Sequence, residues 1–233
     1  MHLVVVLPAY NEEETIGDVI KSINRNLAHI SKLEVLVVND GSTDNTTKKA
    51  ELAGAEHIVS HTVNLGVGSA ILTGIKAAID IGADIICLMD SDGQFSSNEI
   101  PYVIIPILKQ EADVVIGSRF RVIGRNIPIL TIVTNLAMAA LMSILLRQRF
   151  TDVECGFRAL SKEAAINLKL VGGATFAHDM LLDLKSKRFK VIEVPVSVQY
   201  FNQRQSRVIE SYIKYGGLAL VSILRKLIHL NNR

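Results

Sequence analysis

Along the first half of the chain, apolar residues fall in short blocks, and each block is followed by a polar cluster. Leu3–Leu7, Leu33–Val38, Ile85–Met89 and Val114–Ile116 have strand length, and His57–Val63 adds a short strand between the second and third of these. The intervals read as helices. Asn11-Glu-Glu-Glu14 offers an N-cap and a capping-box glutamate for a helix through about Asn26. A polar helix follows Asp44, a glycine turn and helix occupy Gly66–Ile81, and Asn98–Gln110 forms the next helix. Near-continuous apolar strands separated by helices predict an α/β fold, a mostly parallel sheet with helices on both faces.

In such sheets ligands lie beyond the carboxyl ends of the strands. The polar clusters obey that rule. Pro8-Ala-Tyr10-Asn-Glu12, Asn39-Asp40-Gly41, Asn64-Leu-Gly66-Val-Gly68, Asp90-Ser91-Asp92 and Gly117-Ser118-Arg119 each follow a strand. All are expected on one rim, although any one alone would pass as a turn or helix cap.

Past Phe120 the pattern changes. A linker, Arg121–Ile127, leads into the apolar stretch Pro128–Leu146, which has spanning length but is interrupted by Thr131, Thr134, Asn135 and Ser143. Asp152–Leu160, a helix from Ser161, a helix near His178–Lys187, the alternating segment Val191–Tyr200 and a final helix from about Val208 complete the chain.

Composition narrows the classes. The 233 residues suit one domain with a core that needs no staples. A net charge of +2 gives no argument for nucleic acid, and none is expected as a partner. The cysteines, Cys87 and Cys155, lack metal-site or disulfide spacing and are read as reduced thiols. MHLVVVLPAY has no basic n-region and too short an apolar run for a signal peptide, so it is expected to be the first strand.

The segment DSDGQF, Asp90 to Phe95, places two carboxylates one residue apart after a buried-strand pattern. Such a pair can give oxygen ligands to one hard cation, Mg²⁺ or Mn²⁺, that completes its shell with substrate phosphates. Gly93 permits the turn behind them. An EF-hand loop is excluded because its first ligand position would be Leu88 and a strand precedes it. The glycines of NLGVGSAILTG would let backbone amides approach a phosphate at a helix N-terminus.

VVLPAYNEEETI, VVNDGSTDNT, NLGVGSAILTG, MDSDGQF, VIGSRF and DVECGFRAL, in that order, resemble the inverting family-two glycosyltransferases of the GT-A (Rossmann-like) fold, more narrowly the polyprenyl-phosphate (dolichyl-phosphate) sugar synthases. The resemblance runs from Leu3 to about Val208. It implies a nucleotide-sugar pocket lined by Pro8, Tyr10, Glu12, Asp40, Gly41, Gly66, Gly68 and Ser91, with Asp40 at the base. It also implies a DxD metal site of Asp90, Asp92 and Gln94. Residues 1–125 would form the nucleotide-sugar core, 126–150 an interfacial helix, 151–207 the acceptor side of the same domain, and 208–233 a C-terminal amphipathic helix. NDGSTDNT and DSDGQF stand closer to glucosyl or N-acetylglucosaminyl types than to mannosyl ones, which implies UDP-Glc or UDP-GlcNAc as donor.

A sugar-hydroxyl acceptor needs a general base, whereas a phosphate monoester, with a second pKa of about 6, is already an anionic nucleophile near neutrality. It needs cations instead. Ser118 and Arg119 follow the fifth strand, and Arg204, Ser206 and Arg207 lie in QYFNQRQSRV, which resembles the family's acceptor loop with Gln205 and Arg207 in place of Gly and Lys. A glycan-extending transferase with Asp179 of FAHDML as base is the alternative, and a non-catalytic membrane-associated scaffold is a third class that would not need the acid pair. A polyprenyl acceptor implies a membrane surface, met from its cytoplasmic face by helices 128–146 and 208–230, whose basic neighbours Arg147, Arg149, Lys214, Arg225 and Lys226 suit anionic headgroups. Burial or a homo-oligomer interface is the alternative for both helices. Thr131 and Asn135 stand where the family's first interfacial helix often carries Arg and Ser.

Overall fold

A computed structural model describes residues 1–121, 127, 129–169 and 176–199. Seven strands form one sheet in the order β3-β2-β1-β4-β6-β5-β7. They are β1 His2–Ala9, β2 Lys32–Asn39, β3 His57–Ser60, β4 Ile85–Leu88, β5 Val114–Ser118, β6 Arg158–Ser161 and β7 Val191–Pro195. All neighbours run parallel except β6, which is antiparallel to both β4 and β5. The expected mostly parallel α/β sheet is therefore present.

Leu3 to Leu7 in β1 are each 0% exposed, so both faces of the sheet are covered. Helix α1 (Ile16–Ser22) packs against α2 (Thr46–Ala53), α3 (Val67–Asp80) against β1 and β2, and α4 (Ile100–Leu108) against β4, β5 and β6. Gly74 lets α3 approach the sheet, because a Cβ there would lie 2.3 Å from Cγ1 of Val6. Helices α5 (Ile129–Leu146), α6 (Lys162–Asn167) and α7 (Phe176–Ser186) complete the described set.

Two expected elements are shorter than the pattern suggested. Helix α1 starts at Ile16, not near Asn11, and its N-cap Thr15 makes no side-chain capping bond. The acidic run is spent on bracing loops: the Asn11 carboxamide oxygen accepts from Thr43 N–H, and the Glu13 carboxylate accepts from Asn45 N–H. Strand β3 stops at Ser60; the His61 N–H still donates to Asn39 O, and its ring lies 2.7 Å from Asp40.

Helix α5 has the expected bounds and an inverted distribution of polarity. Thr131, Asn135, Ala139 and Met142 are buried, while Ile129, Val133, Leu136 and Ile144 are exposed. Among the described residues no helix is long and apolar enough to cross a membrane. The far edge of the sheet, β7, is blunted: Gln148 Nε2 donates to Val191 O, Arg121 Nη1 donates to Glu193 O, and Pro195 presents no N–H. The expected helix 208–230 lies outside the described residues.

Candidate active site

Four of the five polar clusters converge on one pocket of about 320 Å³ at the carboxyl ends of β1, β2 and β4. Pro8, Tyr10, Glu12, Asp40, Gly66, Asp90, Ser91 and Asp92 line it, together with Ala9, Asn64, Val67 and Ala70. The fifth cluster lies beside them, since the charge of Arg119 reaches Asp90.

Asp40 is 3% exposed and acts as a loop anchor. Its oxygens accept from Leu65 N–H (2.9 Å) and Gly66 N–H (2.8 Å), and His61 Nδ1 lies 2.7 Å from Oδ1. His61 Nε2 is held in turn by Thr73 Oγ1 at 2.9 Å. Gly41, at φ 72°, passes under this loop, where a Cβ would lie 2.4 Å from the Val63 carbonyl carbon. Gly66 precedes α3 at φ 90°, and Gly68 is buried in its first turn. Asp40 thus fixes the loop that carries these glycines, and the Leu65 and Gly66 N–H groups expected to approach a phosphate donate to its carboxylate instead. Nothing in the sequence marked His61 or Thr73 for this role, since a histidine in a short strand pattern carries no local signal.

Glu12 and Ser91 are tied together through Thr15, whose hydroxyl lies 2.9 Å from Glu12 Oε2 and 3.0 Å from Ser91 O. The Ser91 hydroxyl donates to Pro8 O at 2.7 Å and so fastens the acid loop to β1.

The Asp90 carboxylate lies against the backbone at Gly156, where a Cβ would be 2.6 and 2.7 Å from its oxygens. Burial and the neighbouring Asp92 charge push the Asp90 carboxyl up to about 7, while Arg119 and Arg158 pull the other way. Two close carboxylates that resist joint ionisation fit a cation between them. Among the described residues no cluster of three or more His, Cys, Asp or Glu forms a metal cage; Asp90 and Asp92 are the carboxylates that could hold a divalent ion, with the remaining ligands coming from a diphosphate. Gln94 contributes its N–H to Asp92 Oδ1 at 3.0 Å, and its carbonyl accepts from Gln199 N–H at 2.9 Å.

Arg158 and Asp152 were not singled out by chemistry, although both lie in DVECGFRAL. Arg158 is 0% exposed and donates to the carbonyls of Cys155, Ala177 and Val153. It supplies a fixed positive charge behind Asp90, and burial pulls its own pKa down. Asp152, also 0% exposed, accepts from Arg119 Nε at 2.6 Å and Nη2 at 2.8 Å. Arg119 is thereby a held fork.

Ser118 stands differently from expectation. It is 0% exposed, and its hydroxyl lies 2.6 Å from Thr151 Oγ1, so in this conformation it braces the loop and does not face an acceptor. Arg204, Ser206 and Arg207 lie outside the described residues. His178 and Asp179 are both 5% exposed in the first turn of α7, and burial lowers the His178 pKa to about 4. Both cysteines are free and buried, and burial raises their pKa values, Cys155 to about 12.

Known proteins resemble this chain in sequence and fold. A UDP-N-acetylglucosamine–dolichyl-phosphate N-acetylglucosaminyltransferase of Methanococcus voltae is 31% identical over 87% of this chain and 88% of its own length. An undecaprenyl-phosphate mannosyltransferase of Micrococcus luteus is 28% identical over 84% of this chain and 83% of its own. Among solved structures, glucosyl-3-phosphoglycerate synthase from Mycobacterium tuberculosis, in complex with Mn²⁺, UDP and glucosyl-3-phosphoglycerate, superposes with a TM-score of 0.74 at 25% identity, covering 95% of this chain and 79% of that one. The sequence model described as "Glycosyl transferase family 2" matches residues 4–168, more than half of the 233 residues, and the chain belongs to glycosyl transferase family 2.

Proposed function

We propose that this enzyme transfers a glucosyl or N-acetylglucosaminyl group from a UDP-sugar to a polyprenyl or dolichyl phosphate, with inversion, at the cytoplasmic surface of a membrane. The observation that carries the reading is that β4 and β5, both antiparallel to β6, end on one rim, which brings Asp90 and Asp92 to the same side of the sheet as Arg119, whose charge bears on Asp90. A cation at Asp90 and Asp92, Mg²⁺ or Mn²⁺, would neutralise the diphosphate and stabilise it as a leaving group.

The protein's own groups supply the rest. Asp40 holds the Leu65–Gly66 amides at the pocket, where Glu12 and Tyr10 line the nucleotide side. Arg119 orients the acceptor phosphate, whose dianion attacks without a protein base. Arg204, Ser206 and Arg207 are assigned to the same phosphate from the acceptor-loop resemblance. The burial of Asp179 at 5% exposure favours this acceptor over a sugar hydroxyl that would need Asp179 as base.

The donor assignment draws support from the relative named for UDP-N-acetylglucosamine and dolichyl phosphate, and from the UDP-bound neighbour. The outward apolar residues Ile129, Val133, Leu136 and Ile144, followed by exposed Arg147 and Arg149, support contact of α5 with an anionic lipid surface. The deciding experiment offers UDP-Glc, UDP-GlcNAc and GDP-mannose with undecaprenyl or dolichyl phosphate and Mg²⁺ or Mn²⁺. A lipid-phosphate-sugar product from a UDP-sugar, abolished by EDTA and by Asp92→Ala, is expected. Transfer to a glycan hydroxyl with none to lipid phosphate overturns the reading.

A further inference from the structure

Glu193 lies in the edge strand β7 and is not among the residues lining the pocket, yet its carboxylate organises the loop that holds Arg119. Thr151 N–H donates to both of its oxygens, at 2.8 and 2.9 Å. Asp152 N–H donates to Oε1 at 2.8 Å, and the Thr151 hydroxyl donates to Oε2 at 2.9 Å. Since the Thr151 hydroxyl spends its proton on Glu193, it accepts from Ser118 at 2.6 Å. The Thr151 carbonyl is taken by Asn135 Nδ2 of α5 at 3.0 Å.

The next link is Asp152. With its backbone fixed, its carboxylate accepts from Arg119 N–H (3.0 Å), Nε (2.6 Å) and Nη2 (2.8 Å). The strand pattern VIEVPV gives Glu193 no reason to be charged, and a carboxylate is the group that can accept several N–H and O–H donors at once.

We propose that Glu193 is a positioning residue for the transfer reaction: it fixes the Thr151–Asp152 backbone so that Asp152, gripping the Nε and Nη2 edge of Arg119, sets the tilt of the guanidinium towards the acceptor phosphate. This rests on the acceptor role given to Arg119 above. A guanidinium recognises phosphate through a planar pair of N–H groups, so a tilt of the fork weakens acceptor contact while the nucleotide side, held by Asp40 and Ser91, stays in place. Glu193→Gln turns an amide NH₂ towards backbone N–H donors and loosens the loop. Glu193→Asp keeps the charge and restores part of the function.

The test uses the full chain with farnesyl phosphate as a soluble acceptor probe and UDP with Mn²⁺ as the donor-side probe, both read by calorimetry, alongside steady-state kinetics. Glu193→Gln is expected to weaken farnesyl phosphate binding and raise the acceptor KM by about tenfold or more, the scale of a lost charge-assisted contact. UDP–Mn²⁺ affinity is expected to stay within about twofold. In the Arg119→Lys background, which keeps the charge but loses the fork, Glu193→Gln should add almost nothing, because both changes act through one group. If Glu193→Gln does not fold, Asp152→Asn must show the same acceptor-selective, non-additive pattern. Unchanged acceptor binding in Glu193→Gln while Arg119→Lys is impaired overturns this inference and leaves the acceptor role of Arg119 standing. Equal loss on the donor and acceptor sides, or full additivity with Arg119→Lys, also overturns it. Normal acceptor binding in Arg119→Lys overturns both.

Discussion

The Cβ that Gly156 lacks would lie 2.6 Å from Oδ2 of Asp90. Real Cβ atoms do not approach a carboxylate oxygen so closely, so any side chain at 156 moves Asp90 or the β4 end that carries it. Gly156→Ala is therefore expected to reduce transfer by at least about tenfold and to weaken Mn²⁺-dependent UDP binding, with a modest fall in melting temperature. Calorimetry with UDP and Mn²⁺ checks it. An alanine variant that binds the pair normally would show that the Asp90 position is not set from Gly156.

Asp90 also gives a pH prediction. Its folded pKa of about 7 stands above the ordinary 3.8. The native state therefore holds a proton that the unfolded chain has released through this window. For this group, stability is highest below about 3.8 and falls as pH rises towards 7. Metal-free Asp90→Asn should be more stable than wild type at pH 8, by roughly 1 kcal/mol or more, and the gap should close towards acid pH. Mn²⁺ binding to the wild type should strengthen as pH rises through the same window, because proton and cation compete for one carboxylate. Melting curves and metal titrations of both proteins across pH 5–8 test both statements.

Asp40 bears on stability and donor binding together. Asp40→Ala leaves Leu65 N–H and Gly66 N–H without their acceptor and releases His61. The expected cost is about 2–4 kcal/mol of stability with a loss of UDP affinity, while His61→Ala should be milder because both amide bonds remain. Denaturant unfolding and UDP titration separate the two.

How far the sequence led can be seen at single residues. Asp90, Asp92, Glu12 and Gly66 were legible because each follows a strand-length apolar block, and the carboxyl ends of parallel strands share a rim by topology. His61, Asp152, Arg158 and Glu193 were not. The roles of His61, Asp152 and Glu193 arise from partners 21 to 42 residues away, such as His61 with Asp40 and Thr151 with Glu193, and Arg158 is held by carbonyls 3, 5 and 19 residues away; no local period encodes such pairings. The acidic run Asn11–Glu14 misled for a related reason. Its capping-box spacing is real, but Asn11 and Glu13 hydrogen-bond the loop after β2 instead, and tertiary contact outweighed the local preference. The pattern of α5 located the helix and left its facing open, since Thr131 and Asn135 turned out to point inward.

The facing of α5 makes the membrane assignment testable without disturbing the core. Val133 and Ile144 are 58% and 76% exposed, so glutamate at either position costs little packing. Wild type is expected to sediment with vesicles containing anionic lipid, with salt weakening but not abolishing the association. Val133→Glu/Ile144→Glu should shift towards the supernatant and lose activity on undecaprenyl phosphate, yet keep its melting temperature and UDP affinity. Wild type that remains in the supernatant at low salt would remove the lipid surface from the reading.

The acceptor class is decided by comparing Asp179 with Arg119. A phosphate dianion needs no base, so Asp179→Asn should retain a substantial fraction of activity. Arg119→Ala is a poor probe, because it strands Asp152, which is 0% exposed, without its counter-charge and would cost about 3–5 kcal/mol of stability. Arg119→Lys keeps a cation beside Asp152 and removes only the planar fork, so its effect reports on phosphate recognition. It should raise the acceptor KM by about tenfold to a hundredfold, corresponding to roughly 1.5–3 kcal/mol, while leaving the donor KM near the wild-type value. Were the acceptor a sugar hydroxyl, the ranking would reverse, with Asp179→Asn inactive and Arg119→Lys mild, because the barrier would then lie in deprotonating the nucleophile. Steady-state kinetics on both variants with lipid phosphate and glycan acceptors distinguish the cases, and an inactive Asp179→Asn that folds and binds UDP would assign the enzyme to glycan extension.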